Sequence, residues 1–199
     1  VILIEWANTA RKIASGGTVS MIASSIDTNG ATADGTSYTG YLADFHNITG
    51  IAYAGATGKI CYGKDIAGTS HTLYCKAGLT DMTGGVDVTT IGAFSSVTFG
   101  NVSYIASSGN DIVYVADGTT IHMLKLTSGS EAYASVNMSG NINGETVQGI
   151  AVASDGTTVY ISTSANKIYK YDLSSLSGTS QSVTPTVLST GSEHVESMA

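Results

Sequence analysis

Proline is nearly missing from this chain of 199 residues, which carries Pro185 alone, and charge is scarce, with only 12% of residues Asp, Glu, Lys or Arg. Disordered chains combine low hydrophobicity with many charges and much proline. Here apolar residues make up 42% at strand-like spacing, so the chain reads as ordered, and it is long enough for one domain with a sizeable core. Basic residues are also few, eight against fifteen acidic ones for a net charge of −7. They are scattered, which argues against a nucleic-acid partner, because neutralising phosphates requires clustered Lys and Arg. No apolar run approaches the roughly 20 residues that cross a bilayer as a helix. The opening VILIEWA is too short for a signal-peptide core and has no basic region before it. Position 1 is not Met, so the chain is expected to be a processed product or an excerpt of a longer one. There is no Cys-x-x-Cys and no His cluster beside the two cysteines, which argues against zinc. No serine sits in a G-x-S-x-G elbow.

What the chain does have is a repeat. Gly149 to Leu173 reads GIAVASDGTTVYISTSANKIYKYDL: a short apolar strand, an Asp-Gly turn, a Tyr-centred strand, a polar turn and a third alternating strand. Val102 to Leu126, VSYIASSGNDIVYVADGTTIHMLKL, repeats the plan, and GIAYAGATGKICYG from Gly50 followed by HTLYCKAG repeats it again. Several short strands per unit at a period near 50 residues is what one blade of a β-propeller needs. The fold class expected is therefore all-β, a β-propeller of four blade-like repeats. Blades fall at about 1–44, 45–94, 95–143 and 144–191 in one domain spanning 1–199. VILIEWANTARKIAS aligns without a gap to VYISTSANKIYKYDL from Val159, so Val1 begins the second strand of a blade. HVESMA from His194 aligns to a first strand, VQGIA from Val147. Residues 194–199 then complete blade one or start another, giving a four-bladed ring closed by both termini or four blades of a larger ring.

Turn chemistry supports strands over helices. Asp117-Gly118 and Asp155-Gly156 each separate alternating apolar runs, and Gly accepts the positive φ of a tight turn. In KIYKYDL, Ile168, Lys170 and Asp172 fall on one face and Tyr169 and Tyr171 on the other. Ser24 to Gly40 has no apolar period and reads as an exposed loop. The run AVASDGTTVYIST from Ala151 to Thr163 resembles the blade repeat of YVTN-type surface-layer propellers and related lactonase-like propellers. The resemblance covers one unit well and two loosely, and it lacks their usual proline before Asp-Gly.

Cys61 in KICYGK and Cys75 in HTLYCK are expected to face each other across a hairpin and to form a disulfide, which implies an oxidising compartment. Two buried thiols are the plainer alternative. Asn47, Asn101 and Asn137 head N-x-[ST] sequons; with Ser and Thr about a quarter of the chain, nine asparagines give two or three by chance, so the motif alone says little. The repeat alignment places Thr49, Asn101, Gln148 and Glu196 at the start of each innermost strand, as a polar ring at a channel mouth. Lactonase-like propellers use acidic and amide side chains there to hold a cation, so the resemblance allows calcium or a small polar ligand. A solvated channel lining is the alternative, and one carboxylate is few for a hard divalent ion. No other metal or cofactor is expected. Of His46, His71, His122 and His194, only His46 beside Asp44 suggests a catalytic pairing, and no catalytic residue is assigned. Tyr62, Tyr114 and Tyr160 share one repeat position and read as packing between blades, whereas Tyr38 and Tyr41 in or beside the long loop are candidates for partner contact.

The function expected is a secreted or cell-surface propeller that binds a protein or carbohydrate without catalysis. The alternatives are a lactonase- or dehydrogenase-like enzyme with a central-channel site, and a structural subunit of an extracellular assembly that self-associates through its incomplete blade.

Overall fold

Alternating residues broken every few positions by Gly, Asn or Asp favour short antiparallel strands, and such strands dominate the chain. The computed structural model describes residues 2–5, 9–13, 19–24, 48–56, 58–66, 70–77, 86–102, 104–108 and 110–190. A first sheet holds β1 (Ile2–Glu5), β2 (Thr9–Ile13) and β3 (Val19–Ser24). The second holds β4 (Ile48–Ala54), β5 (Lys59–Ile66), β6 (Ser70–Ala77) and β7 (Val86–Asp87). The third holds β8 (Tyr104–Ala106), β9 (Ile112–Asp117), β10 (Thr120–Lys125) and β11 (Ala132–Asn137). The fourth holds β12 (Val147–Val152), β13 (Thr158–Thr163), β14 (Lys167–Asp172) and β15 (Thr186–Thr190). Within each sheet the strands follow chain order and pair antiparallel with their neighbours. Two 3₁₀ turns, Val88–Thr90 and Gly92–Phe94, and a one-turn helix α1, Ser139–Ile142, lie in the connections. Ser139 to Gly144 had no helical pattern to find, and α1 is held by its single turn, which closes at Asn143 with φ +42.

The sheets pack flank to flank. One core joins the second sheet (Cys61, Leu73) and the two 3₁₀ turns that follow it (Val88, Phe94) to one face of the third (Val113, Val115, Leu124). A second core joins the other face of the third sheet (Tyr114, Ala116, Val136) to the fourth (Val159, Ile161, Tyr169, Tyr171). Each fully buried aliphatic or Phe side chain contributes roughly 1.5–3 kcal/mol, so a sheet buried on both faces depends on both neighbours. The first strands run side by side, β4 beside β8 and β8 beside β12. Tyr169 and Tyr171 are buried while Asp172 is exposed, the alternation expected of KIYKYDL.

Of the second-strand tyrosines, Tyr114 belongs to the core between the third and fourth sheets, whereas Tyr62 stacks on Tyr74 within its own sheet. Tyr62 and Tyr114 are buried and Tyr160 is half-buried. Tyr114 Oη donates to Gly156 O of the next sheet at 2.8 Å, and burial pushes its hydroxyl up to about 12. Gly156 has φ +75, and a Cβ there would lie 2.1 Å from Asn110 Nδ2, so glycine lets the fourth sheet's first turn seat against the third sheet's without displacing that side chain.

Cys61 and Cys75 stand directly opposite on β5 and β6, their Cα atoms are 4.1 Å apart, and they are joined as a disulfide. The hairpin reading of this pair holds, and both residues are buried in the core between the second and third sheets.

The third sheet's outer edge is closed by chain from the fourth. Ser135 N donates to Gly178 O, Gln181 N to Ser135 O and Asn137 N to Gln181 O, at 2.9 to 3.0 Å. Val136 and Gln181 thereby form a parallel bridge. Ser180 N adds a bond to Ser135 Oγ at 2.8 Å. An open strand edge templates association with other chains; here the β14–β15 connection covers β11.

Candidate functional site

Of the residues expected to ring a channel mouth, the described ones fall at the starts of the first strands, on the side that also carries the β9–β10 and β13–β14 turns. In the third sheet the dominant group there is Asp117, the last residue of β9. Its Oδ2 accepts from Gly100 N at 2.6 Å, tying the segment ahead of β8 to the β9–β10 hairpin. Gly118 follows with φ +55, so glycine takes the turn position that positive φ requires and Asp117 is freed for this tie. His122 on β10 places Nε2 3.6 Å from Asp117 Oδ2 and bonds Tyr133 Oη through Nδ1 at 2.8 Å, with Phe99 over its ring at 5.1 Å between centroids. Burial pushes the Asp117 carboxyl up, but His122 and the N–H groups of Gly100 and Asn101 outweigh it, and the net shift is downward. An Asp-His-Tyr row has the order of a general-base relay. Yet His122 is only 5% exposed, beneath Phe99, so the row acts as an internal brace.

The fourth sheet achieves the same tie with the acid at the opposite end. Glu145, just ahead of β12, accepts from Thr163 Oγ1 at 2.6 Å, from Tyr169 Oη at 3.1 Å and from Lys167 Nζ. Thr146 N donates to Ser164 Oγ at 3.0 Å and Ser164 N to Thr146 O at 2.8 Å. The Glu145 side chain is 11% exposed. Burial raises its carboxyl, but the bonds from Lys167, Thr163 and Tyr169 win and hold it below the usual range. The bond to Glu145 in turn raises Lys167. Neither brace was visible in the sequence. Asp117 read only as a turn residue, and Glu145 has no local motif; the one available signal was that an acid precedes a first strand whose hairpin ends in Thr and Lys.

These braces predict a pH response. Both carboxylates bind a proton less readily in the folded chain than unfolded, so each contributes stability that is present above the ordinary carboxylate range and lost as pH falls through its lowered folded value. The urea midpoint is expected to hold between pH 5 and 7 and then drop on acidification. Glu145→Gln should be less stable at pH 7 with a shallower acid drop. An unchanged acid slope in that variant would show that Glu145 does not act as a brace.

Of the proposed ring, Thr49 lies within β4, Asn101 ahead of β8 and Gln148 within β12; Glu196 lies outside the described residues, as do Tyr38, Tyr41, His46 and His194. The register staggers the three. Tyr62, Tyr114 and Tyr160 stand opposite Ile51, Ala106 and Ala151, so Thr49, Asn101 and Gln148 precede equivalent points by two, five and three residues. Thr49 and Gln148 each fall at a bulge, a device that re-aims a strand's first side chains. Gln148 Oε1 is buried without a partner among the described residues, whereas Asn101 is exposed and its N–H serves Asp117. Among the described residues no three His, Cys, Asp or Glu side chains gather in one place. Amide and hydroxyl oxygens are what Asn101, Gln148 and Thr49 offer any ligand.

No protein-family model matches the chain, and no curated protein matches it. Among solved structures it is similar to the β-propeller domain of Myceliophteria thermophila Cps50 (Swd1), with a TM-score of 0.46 and 11% identity, over 88% of this chain and 52% of that one. The chain thus spans about half the length of that structure.

Proposed function

We propose that this chain is a secreted or cell-surface β-propeller of four blade-like repeats, a closed ring or part of a larger one, with one domain over 1–199, that binds a protein or carbohydrate through the loops of one face and performs no catalysis. The observation that carries the reading is the use made of the two carboxylates on the channel-mouth side. Asp117 and Glu145 both accept hydrogen bonds that hold first strands to hairpins, which supports a reading in which recognition falls to loop side chains. The flank-to-flank packing of successive four-stranded meanders supports the propeller architecture. The Cys61–Cys75 bridge supports an oxidising location. Tyr38 and Tyr41 are the contact residues in this reading, since Tyr supplies large amphipathic area at interfaces.

The test is binding of the purified chain to immobilised glycans and extracellular matrix proteins, alongside lactone and ester substrates with and without calcium. Saturable binding weakened about tenfold or more by Tyr38→Ala with Tyr41→Ala is expected, with turnover at background. Turnover lost on Glu196→Gln would overturn the reading in favour of a channel-centred enzyme with Thr49, Asn101, Gln148 and Glu196 as its ligand set.

A second reading, a subunit of an extracellular assembly, draws on the first sheet, which has three described strands where the others have four. Residues 194–199 of another copy would supply the fourth strand beside β1. Concentration-dependent association that disappears on deleting 194–199 would move this reading to first place.

A further inference from the structure

The three sequons, which sequence alone could not rank, differ in their surroundings. Asn47 lies outside the described residues. Asn101 sits in the segment tied to Asp117, its own N–H donating to that carboxylate. Asn137 is different: it ends β11, the outermost strand of the third sheet, and both Asn137 and Ser139 are exposed while Met138 between them is buried. Asn137 Oδ1 accepts from Ser139 N at 2.9 Å. With Oδ1 engaged in this exposed bond, Nδ2 is left on an exposed residue and makes no hydrogen bond among the described residues. The Asn137 main chain is anchored independently, its N–H donating to Gln181 O, so a substituent on Nδ2 displaces no structural contact. Nδ2 is the atom that N-glycosylation modifies.

We infer that Asn137 is an N-glycan acceptor, at the outer edge of the third sheet, on the same side as the β9–β10 turn and three strands out from β8. The inference rests on the secreted or cell-surface reading, because the transferase and its donor work on chains leaving the cytosol. The co-reactant is a lipid-diphosphate-linked oligosaccharide. Nδ2 attacks the anomeric carbon of the first sugar, a C–N bond forms, the C–O bond to the diphosphate breaks and the lipid diphosphate departs. One amide proton passes to a base of the transferase, leaving a neutral secondary amide with no change in oxidation state. Met138 and Ile142 are fully buried and the glycan emerges opposite them, where it shields the end of β11 beside the 178–181 crossing.

The experiment is secretion of the chain behind a cleavable leader from a eukaryotic host that glycosylates Asn-x-Ser/Thr, with peptide mapping before and after peptide N-glycosidase. The expected product carries a glycan at Asn137, lost completely in Asn137→Gln and in Ser139→Ala and retained in Asn101→Gln. Ser139→Ala guards against misfolding, since it removes the sequon while leaving the Asn137 main chain and its bond to Ser139 N in place. Folded, secreted protein with unmodified Asn137 overturns the inference, as does a glycan at Asn101 with Asn137 bare. The same maps report the 61–75 linkage: glycan at Asn137 with free thiols would refute the bridge and leave the acceptor site standing.

Discussion

Gly156→Ala is expected to destabilise the protein by about 2–5 kcal/mol, a large share of the stability of a domain of this size. Two costs combine. A left-handed backbone costs a residue with a Cβ roughly 1–2 kcal/mol, and Gly156 has φ +75. The new methyl carbon would lie 2.1 Å from Asn110 Nδ2 and 3.1 Å from Ser108 Oγ, and relieving such overpacking costs about 1–3 kcal/mol. Asn110 cannot swing away freely, because its Oδ1 accepts from Ile112 N at 3.2 Å. Any retreat of the turn also stretches the bond from Tyr114 Oη to Gly156 O. Gly118→Ala is the control: its φ is +55, but a Cβ there meets nothing within 4 Å, so only the backbone cost of about 1–2 kcal/mol applies. Urea unfolding of both variants separates the two costs. Equal losses would mean that the third and fourth sheets do not seat through this turn. Asn110→Ala should recover part of the loss in the Gly156→Ala background and none in the Gly118→Ala background.

The second large effect belongs to the disulfide. Replacing Cys61 and Cys75 together by Ala is expected to lower stability by about 3 kcal/mol, the chain-entropy value for a closed loop near 15 residues, given their separation of 14 in sequence. Both side chains lie in the core between the second and third sheets, so lost packing adds to that figure. For a domain of this length the change lowers Tm by roughly 6–12 °C. Thermal unfolding with and without reductant checks it: reductant should shift the native protein toward the double variant and leave the double variant unmoved. Titratable thiols in carefully prepared native protein would refute the bridge and remove the support for an oxidising location.

What could be read from sequence was whatever is decided locally. Asp155-Gly156 announced a turn because glycine takes positive φ without strain, and Asp155 then fastens it, its Oδ1 accepting from the N–H groups of Thr157 and Thr158 at 2.8 Å. Those bonds hold the exposed carboxyl down at about 2. The alternation in KIYKYDL gave the buried face of β14 for the same reason, since neighbouring side chains on a strand point to opposite sides. Cys61 and Cys75 were legible because a hairpin fixes cross-strand partners once its turn is located. The alignment of Thr49, Asn101 and Gln148 required register between sheets, which turn length controls. Ala54 pairs with Lys59, whereas Val152 pairs with Val159, and this difference in loop length shifts Thr49 against Gln148 although TGIA and QGIA align by eye. Glu145 and the Asp117 tie to Gly100 join groups 17 to 24 residues apart, and no periodicity marks such meetings. The 178–181 crossing was equally silent: its Ser- and Gly-rich sequence reads as a plain loop, and its bonds to Ser135 and Asn137 use the backbone.

That crossing has a consequence for the order in which the protein is made. The third sheet has all four of its strands once Asn137 has been synthesised, but the partner for its outer edge arrives only with Gln181. At cellular elongation rates of about 5–20 residues per second, the roughly 44 residues between them take about 2–9 seconds. Throughout that interval the nascent chain presents β11 with Ser135 and Asn137 unpaired on one side, long after a hairpin has had time to form at about 1–10 μs. Ribosomes following one another on the same message hold several such chains close together, each at the stage where its edge is open. The vulnerable moment for misassembly therefore falls between the synthesis of Asn137 and that of Gln181, when the third sheet has its strands and the residues that will cover it are still being added.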